Sequence, residues 1–381
     1  MMTPTARQLT ADPHPWLADI RRRGPIGWVD SIGGWMVVEH ALAAAVMRDA
    51  ERFTVDDPRF TTSRVVGPSM LSTDGAEHTR HRQPFVSPFS PRASRAYFAE
   101  FIQRESARLV NAFAGAGSAE LRTELAAPLA TACMQMALGL ENIPVAELLA
   151  WYGDIVSAVA DLTAGAALPD SGRTAYAALS DAVLDATRTG HGFLREVADA
   201  AGALTTDEML SNTAVLLFGG IETTEGMIAN LLRHLLTDPA SLNVIGHEPG
   251  LLDAAIEESL RLEPAAAVVD RYATQDVSIG DVQIGRGDLV VVSLAGANRD
   301  PAVFPDPDRF DPRRDNLRRQ LAFAQGPHVC IGLHVARLQA RCAAAEVLRL
   351  PGVRLDVGRT SDPVGLVFRK PRSVGARWDV A

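Results

Sequence analysis

A glycine-bracketed loop with a single cysteine constrains this chain more than any other segment. The loop reads FAQGPHVCIG over residues 323–332, and Cys330 is its cysteine. The stretch 333–350 that follows is rich in alanine, leucine and arginine, which predicts a helix. A sulfur at the start of a helix meets the positive end of its dipole and free N–H groups, which favour thiolate over thiol. Gly326 and Gly332 would let the backbone approach a flat, bulky group where a side chain would clash.

A buried structural cysteine between two turn glycines would also explain a lone cysteine. The loop, however, resembles the haem-thiolate loop of the cytochrome P450 family, Phe-x-x-Gly-x-Arg/His-x-Cys-x-Gly, at every fixed position. The resemblance implies that Cys330 ligates the iron of haem b (iron protoporphyrin IX). It also implies that Gly332 and His328 lie against this cofactor.

Composition bounds the class of protein. The chain has 381 residues, of which 47% are apolar and 22% charged, so it can bury a large core. No linker or repeat divides it, which predicts one domain across residues 1–381. The three cysteines are too few for a disulfide framework, and the net charge of −9 argues against nucleic-acid binding. With neither a leader nor an anchor pattern, we expect a soluble cytoplasmic protein, free of membrane and by default monomeric.

The hydrophobic pattern predicts a mainly helical protein with a small β region. Helical periodicity covers residues 96–140, 145–162 and 174–200, while short strands are expected near residues 26–38, 277–293, 353–355, 366–369 and 376–378. By resemblance, this is the triangular-prism P450 fold as a single haem-containing domain.

A long helix is predicted from Thr206 to Thr237, with a capping box at Thr205–Glu208 and a stop at Pro239. Its centre reads GGIETT over residues 219–224, and each mid-helix glycine costs about 1 kcal/mol relative to alanine. Such small residues serve either a helix crossing or chemistry. The segment resembles the oxygen-activation motif of P450s. The resemblance implies that both Glu222 and Thr223 are catalytic: Thr223 would stabilise the iron–hydroperoxo species, and Glu222 would help to relay the protons that drive O–O cleavage.

A third motif lies between the long helix and the cysteine loop. Glu258 and Arg261 are three apart, so they share a helix face and can pair. Such a pair is common at protein surfaces and means little alone. Its order in the chain resembles the Glu-x-x-Arg motif of P450s, and the segment around Arg309 resembles the one whose arginine completes that network. The resemblance implies a structural network of Glu258, Arg261 and Arg309 that locks the cysteine loop.

Cationic side chains are candidates for the haem propionates. His78 and Arg82 are four apart on a predicted helix that Asp74 and Glu77 would cap and Pro84 would kink. Each cation could equally be a surface charge. By resemblance, the propionates would be bound by His78, Arg82, Arg271 and His328, whose charges would offset the burial of two carboxylates.

An apolar substrate cavity is predicted from positions of the long helix and the segment after Pro264, namely Val215, Phe218, Gly219, Ala267 and Val269. The same side chains could be ordinary core. Residues 59–71 are expected to form a loop over the pocket, and residues 164–174 a lid.

Together these motifs predict a monooxygenase that uses dioxygen to oxidise an apolar small molecule, in natural-product metabolism. A thiolate ligand favours O–O cleavage, and the protein supplies a dry pocket and protons. No flavin or iron–sulfur motif is present, so electrons would come from ferredoxin and ferredoxin reductase. A helix face with His334, Arg337 and Arg341 could bind an acidic ferredoxin, or could be a solvated basic face.

Two alternatives stay open. One is oxidative coupling, ring formation or peroxide-driven decarboxylation, which labelled dioxygen would distinguish from oxygen insertion. The other is a non-catalytic haem-thiolate sensor or carrier, which would need no proton relay. The pair of Glu222 and Thr223 argues against the second alternative.

Overall fold

A computed structural model describes residues 3–163, 167–189, 193–200, 204–238 and 250–380, together with positions 242, 245 and 248. Contacts divide the chain into two compact units. The first comprises residues 1–54, 106–126 and 223–381, and the second comprises residues 55–105 and 127–222. The single domain expected across residues 1–381 stays a prediction.

Helices dominate the described residues. In chain order they are α1 Ala6–Ala11, α2 His14–Arg23, α3 His40–Arg48, α4 Thr61–Val66, α5 Gly75–Val86, α6 Pro91–Ala114, α7 Ala127–Leu138, α8 Val145–Thr163, α9 Asp170–Thr189, α10 Phe193–Ala200, α11 Thr206–Thr237, α12 Leu251–Leu262, α13 Leu294–Ala297 and α14 Leu333–Leu348.

The described strands are short and all belong to the first unit. They are β1 Ile26–Val29, β2 Gly34–Val37, β3 Phe53–Thr54, β4 Ser118–Glu120, β5 Val268–Ala273, β6 Val277–Ile279, β7 Val282–Ile284, β8 Leu289–Ser293, β9 Arg354–Leu355, β10 Pro363–Val364, β11 Lys370–Pro371 and β12 Gly375–Arg377. The predicted class, mainly α with a small β region, is confirmed.

The main sheet of the first unit has the strand order β1-β2-β8-β5-β3. Strand β2 pairs parallel with β8, and the other pairings are antiparallel. Strand β8 is a continuous apolar run because both of its faces are covered, with Val290 and Val292 fully buried. The register sets Arg271 of β5 opposite Val290, and so fixes where this arginine lies on the sheet.

The second unit is helical. Helix α8 packs against α4, α7 and α9, and α10 packs against α5, α7 and α9. A cluster of phenylalanines fills part of its core: the ring of Phe89 stacks on Phe98 at 6.0 Å and meets the edge of Phe193 at 5.4 Å. Such aromatic pairs stabilise a core beyond the area that they bury.

Helix α11 has the predicted bounds. Its capping box is formed, because the Thr205 amide donates to Glu208 Oε2 at 2.8 Å and the Glu208 amide donates to Thr205 Oγ1 at 3.3 Å. The predicted stop, Pro239, lies outside the described residues. Among those residues, α11 is long and apolar enough to cross a membrane, yet 78% of its most apolar window is buried inside the protein. That burial is typical of a core helix.

The helix predicted over residues 96–140 is wrong in its middle. Helix α6 ends at Ala114, and Gly117 has a φ of 70°, a left-handed conformation that glycine adopts without strain. Strand β4 follows and pairs with β12, then a π-helical turn, Arg122–Ala126, leads into α7. The pairing partner of β4 lies more than 250 residues away, so local periodicity could not reveal it.

Two further expectations are corrected. Residues 59–71 are not entirely loop, since α4 occupies six of them. The strand expected at residues 366–369 is replaced by the flanking strands β10 and β11. The lid expected at residues 164–174 stays a prediction: residues 164–166 lie outside the described residues, and from Asp170 onward the segment belongs to α9.

Candidate active site

The cysteine loop lies in the first unit and is held by its own backbone. The Cys330 amide donates to the Phe323 carbonyl at 2.9 Å, and the Val329 amide donates to the Gly326 carbonyl at 3.2 Å. Gly332 is the N-cap of α14, so Cys330 lies two residues before the N-cap and three before the first helical residue. The predicted position of this sulfur at the positive end of a helix is thus present.

The two loop glycines have different reasons to be glycine. Gly326 has a φ of 75°, and a Cβ there would lie 2.4 Å from the Met47 carbonyl oxygen at the end of α3. A Cβ on Gly332 would meet no heavy atom within 4 Å. We expected both glycines to let the backbone approach a flat group. For Gly326 this is corrected, because a side chain there would clash with the backbone of α3 instead. Gly332 faces open space.

We expect Gly326→Ala to lower the free energy of unfolding by about 3 kcal/mol, since it combines left-handed backbone with a backbone clash. Gly332→Ala is the matched control: its φ is −88° and, in the haem-free protein, the added methyl group meets open space. Urea unfolding of the two haem-free variants measures the difference. Equal midpoints would show that α3 and the loop relax without cost.

The chain's other two cysteines differ from Cys330 in their surroundings. Burial raises the pKa of the Cys133 thiol, which is fully enclosed, and also that of Cys342 on α14. Cys330 is only half-buried and lies at a helix N-terminus. A thiolate donor on a glycine-bracketed loop, with open space beside Gly332, fits an iron porphyrin.

A buried ion network lies behind the loop on α12. Glu258 and Arg261 are both fully buried, and Arg261 Nε donates to Glu258 Oε2 at 2.6 Å. The same guanidinium donates to the carbonyl oxygens of Asn298, Pro307 and Arg309 at 3.0, 2.7 and 3.1 Å. These bonds join α12 to residues 298–309. That the pair locks the cysteine loop stays a prediction.

The third cation of this network is not the predicted one. Arg314 Nε donates to Glu258 Oε1 at 3.0 Å, and this side chain is 8% exposed. Arg309 contributes its carbonyl oxygen, which accepts from both Arg261 and Arg314. The prediction for the Arg309 side chain is therefore wrong. The cation that binds the Glu258 carboxylate is Arg314, five residues further along the chain.

The basic face predicted on α14 is largely neutralised. Arg337 makes a two-pronged ion pair with Glu257, at 2.5 and 2.9 Å, and its guanidinium lies 4.5 Å from the centroid of the Phe323 ring. Arg341 pairs with Asp253 at 3.1 Å. Burial, and then Arg337, lower the pKa of His334, which disfavours its charged form. Two of the three cations thus already pair with acidic residues of α12, and ferredoxin binding at this face stays a prediction.

Strand β5 and the segment before it carry three of the predicted site residues, all in the first unit: Ala267, Val269 and Arg271. Arg271 is 4% exposed, and its Nη1 donates to the Asp270 carbonyl at 2.7 Å. Burial raises the pKa of Asp270, while Arg271 opposes that shift. Ala267 is buried and Val269 is half-buried. His328 is half-buried in the cysteine loop. Propionate binding by Arg271 and His328 stays a prediction.

Helix α5 carries His78 and Arg82 in the second unit, the first buried and the second half-buried. One expectation about this helix is corrected. Asp74 does not cap it, because its carboxylate accepts from the Val55 amide at 2.8 Å instead. Pro84 lies inside the helix, which continues to Val86, and the kink expected there stays a prediction. The propionate role of His78 and Arg82 stays a prediction.

The two glycines at the centre of α11 also serve different purposes. A Cβ on Gly220 would lie 2.3 Å from Met134 Sδ of α7, so this glycine permits a close helix crossing. A Cβ on Gly219 would meet nothing within 4 Å. Phe218 is likewise half-exposed, whereas Val215 is 8% exposed. The helix-crossing explanation therefore holds for Gly220, and the substrate role of Gly219 stays a prediction.

The acidic residue of α11 has a partner that the sequence analysis missed. Glu222 is 8% exposed, and the phenol of Tyr152 on α8 donates to its Oε2. The next residue, Thr223, is half-buried. A buried carboxyl group held by a hydroxyl donor, beside a threonine, can accept and pass on protons.

Comparisons with known proteins agree with this geometry. A family model described as "Cytochrome P450" matches residues 250–360. The chain is 33% identical to "Cytochrome P450 monooxygenase PikC" of Streptomyces venezuelae, over 92% of this chain and 87% of that protein. It is 32% identical to "Erythromycin C-12 hydroxylase" of Saccharopolyspora erythraea, over 91% and 89%. The crystal structure of CalO2 superposes with a TM-score of 0.88 at 29% identity, covering 99% of this chain and 98% of that one.

Proposed function

Since this chain belongs to the cytochrome P450 family, we propose that it inserts one atom of dioxygen into an apolar small molecule of secondary metabolism and reduces the other to water. Its class is that of an oxygen-incorporating oxidoreductase, as the named monooxygenase and hydroxylase relatives share. The observation that carries the proposal is Cys330: a half-buried thiol two residues before a helix N-cap, Gly332, that has open space beside it.

The cofactor of this family is a haem-thiolate, and haem b is the form we propose. Cys330 would be its axial ligand, and the group would supply the activation of dioxygen. Arg271 and His328 would bind its carboxylates through charge-assisted hydrogen bonds, a role that the resemblance also assigns to His78 and Arg82. The burial of Arg271 supports this role, because a buried cation is expected where it meets an anion.

Glu222 and Thr223 would manage protons. The carboxyl group of Glu222 would take up a proton and release it toward the reaction, and the Thr223 hydroxyl would hold the accepting oxygen by a hydrogen bond. Each turnover that forms water from one oxygen atom consumes two protons, so their supply limits the useful yield. The surrounding apolar residues would keep bulk water out of this step.

The substrate class follows from the relatives and from the apolar lining. One relative is named "Erythromycin C-12 hydroxylase" and another "Mycinamicin IV hydroxylase/epoxidase", and both names contain macrolides. Phe218, Ala267 and Val269 would offer apolar contacts to such a molecule. We propose ferredoxin and ferredoxin reductase as the electron donors and the cytoplasm as the location.

Labelled dioxygen tests the proposal. The haem-loaded protein is incubated with a panel of macrolides, NADPH, ferredoxin and its reductase under isotopically labelled oxygen gas, and products are identified by mass spectrometry. We expect a product that carries one labelled oxygen atom. An oxidised product without label would indicate coupling or ring formation instead, and a panel without any product would make the macrolide class wrong.

A further inference from the structure

The contact between Tyr152 and Glu222 lies entirely within the second unit. Tyr152 belongs to α8 and is 8% exposed, and its phenol donates to Glu222 Oε2 of α11. Glu222 is equally buried, so the bond is shielded from bulk water. A shielded hydrogen bond to a carboxylate is stronger than the same bond at the surface.

The ring of Tyr152 is fixed as well as its hydroxyl. Its centroid lies 6.4 Å from that of Phe218, at an interplanar angle of 41°. Phe218 precedes Glu222 by one helical turn, so both contacts lie on the same face of α11. Tyr152 is thereby held at two points, and a donor held in this way restricts the carboxyl group to one orientation.

The donor from α8 is necessarily neutral. The sequence of α8, VAELLAWYGDIVSAVADLT, contains neither lysine nor arginine. A phenol has one O–H and accepts a proton poorly at neutral pH, so it orients Glu222 without supplying a positive charge. An ammonium or guanidinium group would hold the carboxylate ionised far more strongly. The Tyr152 phenol therefore adds no positive charge that would hold this carboxylate ionised.

We propose that Tyr152 is the positioning residue for the proton-delivering carboxyl group of Glu222. The phenol selects the orientation from which Glu222 serves the neighbouring Thr223, and it does so without locking the carboxyl group in its charged form. This inference rests on the proton-delivery role of Glu222 proposed above. Tyr152 itself does not touch substrate or cofactor in this role.

The experiment measures dioxygen reduction, with dioxygen itself as the probe. Haem-loaded wild-type protein and Tyr152→Phe receive electrons from NADPH through a plant-type ferredoxin and its reductase, with ferredoxin raised until the rate no longer depends on it. We expect Tyr152→Phe to slow NADPH consumption by about tenfold, the factor that corresponds to one hydrogen bond to a charged group. The solvent deuterium isotope effect on that rate should increase, because proton delivery becomes more nearly rate-limiting.

Two companion variants separate this inference from its premise. Glu222→Gln should slow the reaction at least as much, and the double variant should be no slower than Glu222→Gln, since Tyr152 acts through Glu222. If Glu222→Gln behaves like wild type, the proposed role of Glu222 fails. If Glu222→Gln is slow but Tyr152→Phe keeps the wild-type rate and isotope effect, the inference about Tyr152 alone is overturned.

A matched control comes from the same unit. Tyr176 of α9 donates its hydroxyl to the Val66 carbonyl at 3.0 Å, so Tyr176→Phe removes a phenol hydroxyl at a place remote from Glu222 in sequence and in bonding. It should leave the isotope effect unchanged. The reduced carbonyl spectrum and the thermal midpoint are recorded for every variant. A Tyr152→Phe protein that loses stability but keeps the wild-type isotope effect would show a structural role only, and would refute the proposal.

Discussion

Cys330→Ser should abolish the red-shifted absorption band that a reduced haem-thiolate protein shows with carbon monoxide. The band requires a thiolate ligand. Serine has no sulfur, and its hydroxyl before α14 is far less acidic than a thiol, so it cannot replace that anionic ligand. Monooxygenation should fall by at least about a thousandfold, because the thiolate is what favours O–O cleavage. The measurement is the carbonyl difference spectrum of the purified, haem-supplied protein.

Cys342→Ser is the matched control for that experiment. Cys342 lies on α14, twelve residues after Cys330, and burial raises the pKa of its thiol. Its replacement should leave the spectrum unchanged. Persistence of the band in Cys330→Ser would make the ligand assignment wrong, and its loss in Cys342→Ser would point to general damage to α14 rather than to the ligand.

The sequence predicted a helix or strand correctly where the segment itself carried both a start signal and a clear apolar period. Helix α11 has its predicted bounds because a capping box starts it and its apolar period runs unbroken. Strand β4 was missed because it has three residues and exists only by pairing with β12 at the other end of the chain. Periodicity reports what a segment buries. It does not report a distant partner.

The residues of the candidate site divide in the same way, into those with a local sequence signal and those that depend on a distant partner. Cys330, Glu222 and Thr223 carry their chemistry in short, contiguous motifs, so the sequence predicted them. Tyr152 has no motif of its own, and only the packing of α8 brings its phenol to Glu222. The motif around Glu222 pointed to the acid but not to its hydrogen-bond donor, since several tyrosines and arginines of the chain could have served.

Charge partners were the least predictable feature. Arg337 and Arg341 form a basic stripe in sequence, yet Glu257 and Asp253 of α12 neutralise both. The acidic residues of α12 show the same helical spacing as the basic ones of α14, and this complementarity becomes visible only when the two helices pack together. A stripe of like charges therefore predicts an oppositely charged partner, but not whether that partner belongs to the same chain or to another protein.

Glu258→Gln should destabilise the protein by about 3–5 kcal/mol, the range found when one partner of a buried ion pair is removed. Glu258 Oε1 accepts from the Asp311 amide at 2.8 Å as well as from Arg261 and Arg314, so a neutral amide loses several charge-assisted bonds at once. The side-chain amide would also turn donors toward a buried guanidinium. Urea unfolding of the haem-loaded protein measures the loss, and its haem content reports the cysteine loop.

Glu257→Gln, one residue earlier, is the matched control. Its ion pair with Arg337 is partly open to solvent, with 20% and 32% of the two side chains exposed, and such pairs contribute about 1 kcal/mol or less. The two variants make the same chemical change on the same helix and differ in burial. If both lowered the unfolding midpoint equally, burial would not be what makes the Glu258 network strong. A large loss of unfolding free energy in Glu258→Gln alone would show that the fully buried pair on α12 holds residues 298–314 in place. Haem release at a lower urea concentration than in Glu257→Gln would show that this pair also holds the loop that presents Cys330.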